Sequence, residues 1–165
     1  MSTVLRGTAV LLSIGAALLS GTSAAQDLSW SRCTDPNVSV SVDLPTDLFS
    51  VDRGPTEKLE GRSFTTSDGR ADVSLYSVPV PAGATPASFF KNRFQLPSSS
   101  VVYRRLTKRI LAVSGFRQDK IWYARCNFAS HRANCVALNY PAAEKHRWDA
   151  VVTRISNSLS SPRAG

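Results

Sequence analysis

The stretch Trp122–Tyr140, WYARCNFASHRANCVALNY, constrains the fold more than any other part of the chain. It carries two of the three cysteines, Cys126 and Cys135, inside segments that read as strands. If the two segments pair antiparallel with the cysteines directly opposite, Tyr123 meets Leu138 and Ile121 meets Tyr140. Four bulky residues then share one side, and Ala124 meets Ala137 on the other, next to the cysteines. The register that brings the sulfurs together is thus the one that sorts the faces. Opposed β-carbons in such a pair are close enough to bridge, so Cys126–Cys135 is the expected disulfide. Closing so short a loop contributes about 2–3 kcal/mol in the chain-entropy model.

Two other uses of these residues are weaker. A thiol hydrolase would use Cys126 or Cys135 as nucleophile and His131 as base, but nothing nearby orients His131 and no oxyanion-hole motif accompanies it. A zinc site needs about four ligands; only Cys126, His131 and Cys135 cluster, without CxxC or HxxxH spacing. Cys33, in WSRCTDP, is left over, either to pair with one of the others or to link two chains.

The N-terminus points to an oxidising compartment, where thiols pair. Arg6 precedes the apolar run TAVLLSIGAALLS, and GTSAAQ follows with small residues at Ser23 and Ala25, an A-x-A-like cleavage site. The run is short for a bilayer span, which takes roughly 20 apolar residues. Residues 1–25 are therefore expected to be a cleavable signal peptide, with Gln26 as the mature start and a periplasmic or secreted destination. No cysteine follows the site to carry a lipoprotein anchor, and no stable membrane insertion is expected after cleavage.

What remains suits one domain: a polar lead-in over 26–37, a single α+β domain over 38–159 and a loose tail over 160–165. VSVSVDLP alternates Val38, Val40 and Val42 against polar residues, the pattern of a half-buried strand, and Phe49 and Val51 open a second short strand after the PTD turn. RSFTTSDGRADVSLYSV reads as a hairpin with a type I′ turn at Asp68-Gly69 and Phe64 opposite Val73. TPASFFKNRF is a short helix, capped by Thr85, with Pro86 in its first position and Phe90 and Phe94 on one face. Strands are expected over Val101–Leu106, Arg109–Ser114, Lys120–Phe128 and Cys135–Tyr140, with Gly115 and RQD marking a turn. Pro141 opens the last helix, where Trp148, Val151, Val152, Ile155 and Leu159 form one apolar stripe. The expected architecture is an antiparallel sheet of about six strands plus an N-terminal hairpin, flanked by a short helix and a longer C-terminal helix, an α-β-α sandwich.

No catalytic constellation stands out. GxSxG, GxGxxG, P-loop and HExxH patterns are lacking, so neither a cofactor nor a metal is expected. Glu57 and Glu60 read as solvated loop charges, and His146 as part of a polar helix surface. The NVS at Asn37 matches a glycosylation sequon, which matters only in a eukaryotic secretory pathway. The formal net charge is +8, with arginine well ahead of lysine. The densest basic cluster is Arg104, Arg105, Lys108 and Arg109, without a Gly-rich loop or an aromatic platform, so nucleic acid is not the expected partner. That cluster and Trp30, in the lead-in, are the candidate contacts for a protein partner or a polyanionic surface.

The order of these elements carries a resemblance. LPTDLFSV, TPASFFKNRF, ILAVSG and WDAVVTRISNSL look like the corresponding segments of the PsbP-like fold, the α-β-α sandwich of extrinsic oxygen-evolving-complex proteins and of a Ran-binding nuclear family. GRSFTTSDGRAD, YARCNF and YPAAEKHRWDAVVTRIS also resemble exported proteins of Gram-negative bacteria, some fused to caspase-like peptidase domains. The resemblance implies a non-catalytic accessory role and transfers no functional residue by position, since fold does not give function. The expectation is an exported accessory domain that binds a protein. The alternatives are the thiol hydrolase and a basic polyanion or envelope-surface binder.

Overall fold

The computed structural model describes residues 27–56, 59–94, 100–129 and 131–160. The expected signal peptide, Glu57 and the last five residues of the tail lie outside these. Strand β1 (Trp30–Thr34) pairs with β2 (Ser41–Pro45) in a separate two-stranded sheet. The other strands are β3 (Val51–Pro55), β4 (Glu60–Thr65), β5 (Asp72–Pro79), β6 (Val101–Leu106), β7 (Ile110–Arg117), β8 (Lys120–Ala129) and β9 (Arg132–Pro141). They form one antiparallel sheet in the order β3-β4-β5-β9-β8-β7-β6. Helix α1 (Pro86–Phe94) covers one face; α2 (Lys145–Ser158) and the β1–β2 hairpin cover the other. The fold is α+β, with the layering expected from the sequence.

The central hairpin has the register deduced from its cysteines. Cys126 opposes Cys135, Tyr123 opposes Leu138 and Ile121 opposes Tyr140. The sulfurs are bonded, and the Cα separation of 4.1 Å belongs to a non-hydrogen-bonded pair, where side chains approach most closely. Under α2, Ile121, Leu138 and Tyr140 are buried with Trp148, Val151, Val152 and Ile155. Tyr140 and Phe49 place their rings 5.4 and 5.8 Å from Trp148. On the opposite face the disulfide packs with Leu111, Val113, Trp122 and Ala124. There α1 adds Phe89, Phe90 and Phe94, the last stacked on Trp122 at 6.0 Å. Helix α1 starts as its cap implies, with the Ser88 amide donating to Thr85 Oγ1 at 3.1 Å.

Several local expectations are corrected. The polar lead-in is not a linker: its residues Trp30–Thr34 form β1. The first alternating strand begins at Ser41, because Val38 and Ser39 lie in the bend between β1 and β2, with Ser39 at φ 54°. The strand that begins at Val51 pairs with β4, so the partner of β2 is β1. The β4–β5 hairpin keeps Phe64 opposite Val73, but its turn is not type I′: Gly69 has positive φ and Asp68 does not. The Gly69 amide donates to the Thr66 carbonyl at 2.9 Å, which makes a longer loop with Gly69 closing it. Gly115 lies inside β7, opposite Trp122, and the turn is at Gln118 and Asp119. A β-carbon on Gly115 would sit 1.8 Å from the Ser100 carbonyl oxygen, so close backbone approach accounts for the glycine. Strand β9 starts at Arg132 rather than Cys135, and a 3-10 turn over Ala142–Glu144 precedes α2.

Candidate binding surface

The sheet is wider than the layer that covers it. Helix α2 lies over β8, β9 and β2, while β6 and the adjoining part of β7 project beyond it. The large apolar side chains left exposed among the described residues all lie on this projection: Val102 at 66%, Phe116 at 50%, Tyr103 at 46% and Leu106 at 37%. β6 is also a terminal strand of the sheet, with one backbone edge unpaired by any other described strand.

Between β6 and α2 the sheet surface is a trough of about 520 Å³. Its shape comes from side-chain size on β7. Ala112 and Ser114 face α2 from the middle of that strand, between long residues on both neighbours. One cross-strand row reads Arg105, Ala112, Arg125; the next reads Tyr103, Ser114, Tyr123. The small central residues form the floor, and the arginines and tyrosines form the sides.

The polar groups are anchored on the α2 side. Tyr123 Oη and Ser156 Oγ share a hydrogen bond of 2.6 Å. Arg125 donates to Asn157 Oδ1 at 3.1 Å and more weakly to Ser156 Oγ and Asn127 Oδ1 at 3.4 Å. These acceptors are neutral, and Arg125 makes no ion pair among the described residues. At the far end Lys145 pairs with Asp149 at 2.7 Å. Burial raises the Tyr123 hydroxyl pKa, opposed in part by its bond to Ser156 and by Arg125. Burial, and then the nearby Asp149 carboxylate, push the Tyr140 hydroxyl up to about 12.

The basic cluster singled out from sequence is divided. Arg104 points to the α1 side, 5.8 Å over the Phe90 ring, whereas Arg105 lines the trough. Lys108 and Arg109 form the tip of the β6–β7 hairpin, where Thr107 Oγ1 accepts from the amides of Arg109 and Ile110 at 3.2 and 3.0 Å. None of the four makes an ion pair among the described residues. Trp30 packs on the core, with the Arg154 guanidinium 4.1 Å above its ring. The surface residues that sequence reasoning did not single out are Val102, Tyr103, Phe116 and Arg125. The crowding of apolar residues in VVYRRL was a signal, but only the position of β6 at the sheet edge makes it meaningful.

The residues of the thiol reading have other roles. Cys126 and Cys135 are bonded and fully buried, so neither offers a thiol to His131. His131 is exposed in the β8–β9 loop, and its carbonyl accepts from the Val80 amide at 2.7 Å. Cys33 is unpaired, half-buried against Val42, with its thiol pKa raised by burial and then by Asp52. Glu60 is ion-paired to Arg132. His146 is exposed on α2. Among the described residues no helix is long and apolar enough to cross a membrane.

No protein-family model matches the sequence, and no curated protein matches it. Among solved structures the chain is similar to cyanobacterial PsbP (CyanoP) from Synechocystis sp. PCC 6803, with a TM-score of 0.58 and 8% identity. The match covers 87% of this chain and 99% of that one. At that identity the similarity is one of fold, and the fold is PsbP-like.

Proposed function

We propose that the chain is an exported, non-enzymatic accessory domain that binds a protein partner along the β6 edge. One observation carries this reading: the projecting β6–β7 hairpin exposes apolar side chains on both of its faces, Val102, Tyr103 and Phe116 on the α2 side and Leu106 on the α1 side. An unpaired edge strand is a template for an added strand, and flanking apolar residues give the added chain something to bury. Arg104, Lys108 and Arg109 border that edge as uncompensated cations, which favours an acidic segment in the partner.

A photoreactive residue placed at Val102 in the exported protein should give a discrete covalent adduct in living cells. The same residue at Arg53, on the opposite edge of the sheet, should not. Equal adduct patterns from both positions would remove the assignment of the interface to β6.

The unpaired cations also support a second reading, a polyanionic envelope surface as the target. Binding would then weaken steeply with salt, and replacing Arg104, Lys108 and Arg109 by glutamine would lower the slope of log affinity against log salt. Affinity independent of ionic strength would exclude that reading and leave the protein partner.

A further inference from the structure

We propose that the trough between β6 and α2 is a binding site for a small organic monoanion, a carboxylate carried on an apolar body. The trough shares Val102, Tyr103 and Phe116 with the surface proposed for the protein partner but does not use the β6 backbone edge, and its test, made on the chain alone, does not depend on the partner reading.

The volume, about 520 Å³, falls in the range of small-molecule sites, which are mostly apolar with a few convergent polar groups. The position of the anion follows from the cross-strand row Arg105, Ala112, Arg125. Neighbouring strands are about 4.8 Å apart, so the two arginines start about 10 Å from each other across a floor residue that is only a methyl group. Guanidinium groups on such stems can close on one carboxylate from both sides, a charge-assisted contact stronger than a neutral hydrogen bond. Arg125 is half-buried against neutral acceptors from Asn127, Ser156 and Asn157, and no carboxylate among the described residues forms an ion pair with it. A charge withdrawn from water in that way gains from a counter-ion.

The rest of the trough sets the body of the ligand. Moving away from the arginine row, the lining becomes Tyr103 and Tyr123, then Phe116, Ile121 and Val152. Phe116 is half-exposed there, apolar surface that an apolar tail would cover. Asp149 stands at the far end, paired with Lys145. Lys145 lines that end as well and neutralises Asp149, so no unpaired cation among the described residues waits there for a second negative group, and Arg105 and Arg125 are the cations left to hold a single carboxylate.

Octanoate is a suitable probe and octan-1-ol its uncharged control. Titrated into the full chain and followed by amide NMR, octanoate should move the Ala112, Ser114 and Arg125 resonances saturably. Octan-1-ol should bind at least about tenfold more weakly, since a charged hydrogen-bonding pair is lost. Arg125→Gln should weaken octanoate by a similar factor. Arg105→Gln, on an exposed edge strand where folding is not at risk, should do the same. Ala112→Leu, which fills the floor, should abolish binding of both compounds. The proposal is overturned if octanoate produces no saturable shift, if octan-1-ol binds as well as octanoate, if the shifts map to the α1 face, or if both arginine variants keep the parent affinity.

Discussion

Gly115 shows how a single missing side chain shapes this protein. It faces Trp122 inside β7 and receives the Ser100 carbonyl against its Cα, so the smallest substitution forces backbone apart. Gly115→Ala should cost about 1–3 kcal/mol, the usual range for overpacking, and thermal melts should show a drop of several degrees. An unchanged melting temperature would mean that the approach of Ser100 relaxes freely. From sequence the glycine is expected in a turn, because glycine is a turn residue by local preference; the steric reason lies in another segment. Trp148 is the opposite case. Its place on the apolar stripe of α2 is legible from spacing alone, and it is buried against Phe49 and Tyr140. Arg125 gave no local signal, since one arginine in a strand is ordinary until its neighbours are known.

The elements that could be read in advance are those whose signals are internal to them. Helix α1 has its cap and N-terminal proline, α2 has its stripe, and β8–β9 has a register that the cysteines select. The disulfide staples the two strands at the centre of the sheet. Replacing Cys126 and Cys135 together by alanine should remove about 2–3 kcal/mol in the chain-entropy model, measured by denaturant unfolding without reductant. A double variant as stable as the parent would show that the staple contributes nothing beyond the packing around it. The β1–β2 hairpin was legible only as β2, because β1 is polar and borrows its order from elsewhere. Arg32 on β1 donates to Asp43 at 2.9 Å and to the Ser158 carbonyl at 2.8 Å, and also reaches Ser160. The Asp43 amide donates to Ser158 Oγ at 2.8 Å, so β2 and the end of α2 hold each other. Arg32→Ala should speed hydrogen exchange in Trp30–Thr34 while leaving β8 and β9 protected. The cost in global stability should be about 1 kcal/mol or less, because the arginine is partly solvated. Uniform exchange across the whole chain would mean that the hairpin and the sheet open as one unit.

At the scale of the whole molecule, the tyrosines beneath α2 tie stability to alkaline pH. The folded protein holds the Tyr140 hydroxyl at about 12, and burial raises Tyr123 as well. A tyrosine in the unfolded chain titrates near 10. Between those values the folded state binds more protons than the unfolded one, so this contribution is complete below about pH 10 and is lost as pH rises through the folded value. Melting temperature should be level from roughly pH 7 to 9 and fall above 10, and Tyr140→Phe should flatten the fall. An unaltered alkaline slope in that variant would place the effect elsewhere. The sequence by itself determined which residues are apolar, at what period, and hence the striped helix, the paired strands and the bridge between Cys126 and Cys135. Periodicity and spacing are properties of one segment, and burial acts on them directly. Only the tertiary structure decided that Arg105 and Arg125 share a row across Ala112 and that α2 stops short of β6. Those relations depend on two independent strand registers and on how far one layer extends over another, and no single segment contains either.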